Sequence, residues 1–278
     1  MNPTAIKRIN RALAYVCLII ASAFFMIPFI WLLSTSLKPL TQIFTFPPEW
    51  IPRPILWSNY SRAVEYIPFW TYLKNTAVIT IVSTLGVIIS CPLVAYSFAK
   101  LEYRGRGILF FVTLAVMMIP GQVTMIPLFL LFTKLGWVGT PLPLIVPQFF
   151  GVPIYIFLLR QFFMGLPDAL REAARLDGAS EFRIYLQIMF PLAKSAVLAV
   201  ALFQFMGSWT DFMGPLLYLT NEPSYTVSLG LQQFQSQKGS EWGLLMAVST
   251  LMTLPIIVLF FFLQKTFISG ITFSGIKG

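Results

Sequence analysis

Histidine is absent from the 278 residues of this chain. That removes the serine–histidine nucleophile pair, the histidine-ligated zinc site and the usual intramembrane proton shuttle, and it disfavours a polytopic protease. Cysteine is nearly as scarce. Cys17 and Cys91 both fall inside apolar runs, away from any oxidising loop, so they read as small apolar fillers and leave no disulfide framework. A Gly-x4-Gly-Lys-Ser/Thr phosphate loop is missing too, so any nucleotide would be hydrolysed by another chain, and no catalytic residue, cofactor site or metal site is assigned in this one. Charge is short as well: 10% of residues are charged, against roughly 25% in a typical soluble domain.

What fills the chain instead is apolar. Hydrophobic residues make up 57% and the mean hydropathy is +0.79, the composition of a polytopic membrane protein. A membrane-crossing helix needs about 20 mostly apolar residues. Six stretches qualify, near residues 13–37, 75–99, 108–133, 141–163, 196–219 and 243–264. The expectation is an all-α protein of six transmembrane helices, a single membrane domain over 1–278 with both termini on one side. Lys7, Arg8 and Arg11 before the first run could suggest a secretory signal, but the run is too long and no small-x-small cleavage site follows it, so it reads as an uncleaved first span.

Cations orient the spans, because Lys and Arg beside short loops are retained in the cytoplasm. With the N-terminus inside, thirteen cations fall on the cytoplasmic side: Lys7, Arg8, Arg11, Lys100, Arg104, Arg106, Arg160, Arg171, Arg175, Arg183, Lys194, Lys265 and Lys277. Six fall outside: Lys38, Arg53, Arg62, Lys74, Lys134 and Lys238. The net charge of +9 is therefore a topology signal. A nucleic-acid partner is not expected, since it would want a soluble basic face.

The outer loop from Lys38 to Lys74 contains Pro47, Pro48, Pro52 and Pro54, too proline-dense for helix or central strand, and predicts an extended strap. Ser58 is then placed to cap a short helix before Pro68. Trp50, Trp57, Tyr60, Tyr66 and Trp70 suit either an outer docking surface or a membrane-interface belt. In the last outer loop, Asn221 to Ser224 form a turn and Gln232, Gln233, Gln235 and Gln237 make an amide-rich segment, which suits a remodelled polar contact or an ordinary solvated loop. The second to fourth spans are interrupted by Gly86, Pro92, Pro120, Gly121, Pro127, Pro143, Pro147, Gly151 and Pro153. Such breaks are tolerated in lipid only where protein or a watery cavity satisfies the freed backbone groups. Gln122, Thr124, Gln148, Tyr155, Gln204, Trp209 and Asp211 add polar atoms at membrane depth, read either as a translocation path or as hydrogen bonds between helices.

One cytoplasmic stretch, about 164–195, is charged. Pro167 and Asp168 suit a helix start, Gly178 a helix stop, and Ser180 the cap of a second helix running to Pro191. Spacing predicts i,i+3 pairs of Asp168 with Arg171 and Glu172 with Arg175. An amphipathic interfacial linker is the plain alternative. Against it, Glu172, Ala173 and Ala174 offer a small-residue shoulder with Leu170 and Asp177, suited to docking in a groove on another protein.

Glu172-Ala173-Ala174, then Gly178 after three residues, then Ile188-Met189-Phe190-Pro191 after nine more, resembles the EAA loop of ABC importer permeases; only Phe190 departs, where leucine is usual. The resemblance covers nearly the whole chain and is to carbohydrate permeases, in particular the smaller permease subunit of maltose-type systems. It is carried by Asn59-Tyr60, Asn75-Thr76, Pro120-Gly121-Gln122, Ile126-Pro127, Trp209 with Asp211-Phe212 and Pro215-Leu216, and the tail Phe273 to Gly278. Asp211 stands where this resemblance expects asparagine. What it implies is an inner-membrane importer of a bacterium or archaeon, with two permeases, usually non-identical, two cytoplasmic ABC ATPase subunits that carry ATP and magnesium, and an extracytoplasmic sugar-binding protein. Glu172, Ala173, Ala174, Asp177, Gly178 and Pro191 would then form the ATPase-coupling loop, and the solute would be a di- or oligosaccharide. A secondary transporter driven by an ion gradient is the alternative; it would want paired ionisable residues at the midplane, where the spans offer little beyond Asp211 and Arg160. A channel would show a filter run or a ring of charges, and neither is visible.

Overall fold

The computed structural model describes the backbone of residues 3–236 and 239–273 and the side chains of residues 10–235 and 240–264. Gln237, Lys238, the tail Ser274 to Gly278 and the side chains of Lys7, Arg8, Lys265 and Phe273, all used above, lie outside the described residues. The helices in chain order are α1 (Pro3–Ser36), α2 (Leu40–Ile43), α3 (Ser58–Tyr66), α4 (Phe69–Lys100), α5 (Arg106–Met117), α6 (Gly121–Lys134), α7 (Leu142–Ile145), α8 (Pro153–Met164), α9 (Ala169–Leu176), α10 (Glu181–Ile184), α11 (Phe190–Leu192), α12 (Lys194–Trp209), α13 (Met213–Tyr218), α14 (Val227–Gly230) and α15 (Trp242–Phe273). A two-residue antiparallel pair, β1 (Gln235–Ser236) and β2 (Gly239–Ser240), precedes α15.

Among the described residues, Asn10–Ser36, Phe69–Lys100, Leu142–Met164 and Trp242–Gln264 are long and apolar enough to cross a membrane, and the number reaches six when each of two bent pairs counts as one span. The run expected at 108–133 is one such pair: α5 and α6 meet at 99°. Pro120 makes the break, since it has no N–H to donate and disfavours helical backbone at the residue before it. The run expected at 196–219 begins in α12, bent 77° from Glu181–Leu192, and its helix stops at Trp209 before resuming as α13.

Two compact units divide the chain. In the first, Met1–Ile67 with Leu231–Leu254, α1 is exposed from Asn10 to Ile30, an apolar surface suited to lipid or another membrane subunit. Its last turn is buried. Asn59 of α3 donates through Nδ2 to Ser36 O (2.9 Å) and Lys38 O (3.1 Å), and Ser36 Oγ lies 2.8 Å from the Tyr60 hydroxyl. The proline-dense strap is irregular chain pinned by Gln42, which donates to Ile51 O at 3.0 Å and accepts from Arg53 N at 2.9 Å. Ser58 is the first residue of α3 rather than its cap; the cap position falls to Trp57, which makes no side-chain capping bond.

In the second unit, Pro68–Gly230 with Pro255–Gly278, α4 packs against α8, α12 and the 3-10 turn Val146–Phe150. Val87, Cys91, Ala95, Leu159, Phe163, Ile184, Met189 and Ala193 form its dry core. Gly86 lets the turn approach: a Cβ there would lie 2.7 Å from the Phe149 ring, the small-residue contact common between membrane helices.

Candidate functional site

The charged stretch at about 164–195 folds as a helical hook within the second unit. The start of α9 is fastened from outside itself: Lys100, at the end of α4 and with its side chain 4% exposed, donates to Asp168 Oδ1 at 2.6 Å and to Leu166 O at 2.7 Å. That bond and the Lys100 charge hold the Asp168 carboxyl below the usual carboxylate range. At the far end Gly178 takes φ +78°. The N–H of Ala179 reaches Ala174 O and that of Gly178 reaches Arg175 O, both at 3.0 Å, closing a left-handed C-terminal cap. Ser180 then caps α10, accepting from Arg183 N at 3.4 Å.

The i,i+3 pairs expected along α9 do not form among the described residues. Asp168 turns to Lys100, while Arg171 and Arg175 both turn to Glu181. Burial pushes the Glu181 carboxyl up, but hydrogen bonds from Arg171, Tyr96 and Arg175 outweigh it and leave it below the ordinary value. Around this frame the motif residues divide. Glu172, Ala173, Asp177 and Pro191 are exposed, whereas Ala174 is 9% exposed and packs into the core with Ile184 and Met189. Leu176 is 90% exposed at the tip.

A second feature lies in the same unit. A cavity of about 410 Å³ is lined by Ile79 of α4, Phe132 of α6, Gln148, Gln204, Ser208, Asp211, Tyr218 and Thr226, with Pro143, Pro147 and Pro215. It brings together Gln148, Gln204 and Asp211 of the expected path residues. The others stand elsewhere: Gln122 and Thr124 are on α6 outside the cavity lining, Tyr155 packs on the dry core, and Trp209 is buried with its ring 5.4 Å from that of Phe205. Gln204 Nε2 is 3.5 Å from Ser83 Oγ, which donates to Ser208 Oγ at 3.2 Å, so a hydroxyl and amide seam runs between α4 and α12. Asp211 Oδ1 accepts from Gly214 N at 3.1 Å and so caps the start of α13.

Ser208, Tyr218 and Thr226 were missed as lining residues, and Glu181, Lys100 and Tyr96 as hook residues. Serine four residues after Gln204 falls on the same helix face, so periodicity could have found Ser208. Thr226, in the last outer loop, gave no such signal.

The family model of the binding-protein-dependent transport system inner membrane component matches residues 92–273. The arabinooligosaccharides transport system permease protein AraQ of Halalkalibacterium halodurans is 36% identical over 210 residues, 76% of this chain and 75% of that protein. The AraQ protein of Bacillus subtilis is 33% identical over 260 residues, 92% of each. A crystal structure of a bacterial ABC transporter involved in the import of the acidic polysaccharide alginate superposes with a TM-score of 0.79 at 24% identity, over 93% of this chain and 96% of that one, and so shares the fold. With four to six apolar helices, the charged hook and the cavity, these likenesses settle the membership: the chain belongs to the family of inner-membrane components of binding-protein-dependent transport systems, as an ABC permease of the maltose-type carbohydrate group.

Proposed function

We propose that this chain is one permease of an ATP-driven sugar importer, contributing its cavity to the translocation path and its hook to the ATPase. The observation that carries the reading is the division of α9. One side is bonded to α4 and Glu181, and the other leaves Glu172, Ala173 and Leu176 exposed at the end of a rigid, doubly tethered helix. A helix held at both ends transmits a rigid-body push, which a flexible loop cannot. Glu172, Ala173, Asp177 and Gly178 would seat in a groove of the ATPase, with Ala174 and Pro191 serving the turn behind it.

The cavity supports a di- or oligosaccharide as solute, in line with what the AraQ relatives are named for. Amide, hydroxyl and carboxylate groups alternate there with proline and aromatic surface, the mixture that suits a polyhydroxylated ring with polar edges and apolar faces. ATP and magnesium belong on the two ATPase subunits. An extracytoplasmic binding protein and a second permease complete the assembly.

Tagging the chain in its native membrane, solubilising gently and identifying what co-purifies tests the reading. A second permease and an ATPase should come down with the wild type, and Glu172→Lys should lose the ATPase and abolish uptake while inserting normally. A chain that purifies alone and moves solute in liposomes without ATP would overturn it in favour of an ion-gradient carrier.

A further inference from the structure

Three elements meet on Glu181. Its Oε2 accepts from the Tyr96 hydroxyl of α4 at 2.9 Å and from Arg171 Nε of α9 at 3.2 Å; its Oε1 accepts from Arg171 Nη2 at 3.3 Å and from Arg175 Nε. The surroundings are tight: Tyr96 is 2% exposed, with its ring 5.8 Å from that of Phe163 and 5.3 Å from that of Tyr185, and the Arg171 side chain is 12% exposed. Arg171 and Arg175 are one turn apart on α9, so a carboxylate that holds both fixes the rotation of that helix about its axis. One turn beyond Tyr96 on α4, Lys100 fixes the start of α9 through Leu166 O and Asp168.

We propose that Glu181 is the positioning residue of the hook, locking α9 to α4 so that force on the exposed face of α9 moves α4, whose Ile79 lines the cavity, instead of rolling the hook in place. The inference rests on the reading that the hook seats on an ATPase. A carboxylate is required for the lock. Glutamine offers one acceptor oxygen, carries no charge and turns an amide donor towards a guanidinium, so at least one arginine hydrogen bond is lost and the rest are weakened. Tyr96 extends the lock into the dry core, where its ring cannot yield without disturbing Phe163 and Tyr185.

The test uses the complex purified with its ATPase, in a background with Cys17 and Cys91 replaced by alanine and an environment-sensitive fluorophore on a cysteine at the exposed position 85 of α4. Adding ATP and magnesium should change the fluorescence in this parent. In Glu181→Gln the ATPase should still co-purify and hydrolyse ATP while the fluorescence change is lost. Arg175→Gln, which removes one half-exposed donor, should lose part of the change. A full fluorescence change in either variant overturns the positioning role, as does loss of hydrolysis and fluorescence in the same proportion in Arg175→Gln. Should Glu181→Gln fail to assemble, Arg175→Gln decides alone. A parent that brings down no ATPase sinks the importer reading itself, a different and earlier failure.

Discussion

Asp211 serves two neighbours at once. It lines the cavity, but one of its carboxylate oxygens is taken by the Gly214 N–H at the start of α13. That bond needs an oxygen and no charge. Asp211→Asn should therefore leave assembly intact and at most retune the solute, whereas Asp211→Ala should cost about 1 kcal/mol, the usual loss for a missing helix cap. Denaturant titration of the purified complex measures both. Equal destabilisation by the two would show that the charge, not the cap, matters there. The alanines of the motif make a similar point. Ala174 is small because it faces Ile184 and Met189 in the core, and Ala173 is small on the open side, so one dipeptide serves two different contacts.

At the scale of elements, local rules carry well and distant partners do not. The left-handed Gly178, the Ser180 cap and the breaks at Pro120 and Gly151 follow from single residues and their neighbours, and each was legible. The pairs that hold the hook join residues 68 and 85 apart, Lys100 with Asp168 and Tyr96 with Glu181. Sequence spacing favoured i,i+3 pairs because it sees only the helix surface; a nearly buried ammonium from another helix, with no water to compensate it, is the stronger claimant for Asp168. These clasps give the hook an acid sensitivity. Asp168 and Glu181 both have folded pKa values below their ordinary ones. Their contribution is thus fully present above the unfolded values of about 4 and is lost as the pH falls through the lower folded values. A spin label on a cysteine at position 176, at the exposed tip of α9, should be steady near neutrality and gain mobility only below about pH 4. Loosening on the alkaline side instead would show that these carboxylates do not hold the hook.

At the scale of the molecule, the question is what drives transport. An ion-coupled carrier needs ionisable groups at membrane depth whose charge state can change during the cycle. The two ionisable residues that sequence analysis left for that role are both engaged. Arg160 donates through Nε to Phe98 O at 3.2 Å and lies 4.1 Å over the Phe110 ring, and Asp211 caps α13. Among the described residues, neither forms an ion pair with the other or with a second titratable group. The hook, by contrast, concentrates charge, bonded framework and exposed surface, as the proposed ATPase contact requires. Depleting ATP in intact cells while an ion gradient is maintained should therefore stop uptake, and an ionophore that collapses the gradient while ATP is held constant should leave initial uptake rates unchanged. The reverse pattern would reassign the cavity to an ion-coupled cycle and leave the hook as a structural linker. Because the two treatments act on different energy stores, the comparison separates the rival mechanisms without knowledge of which sugar is carried.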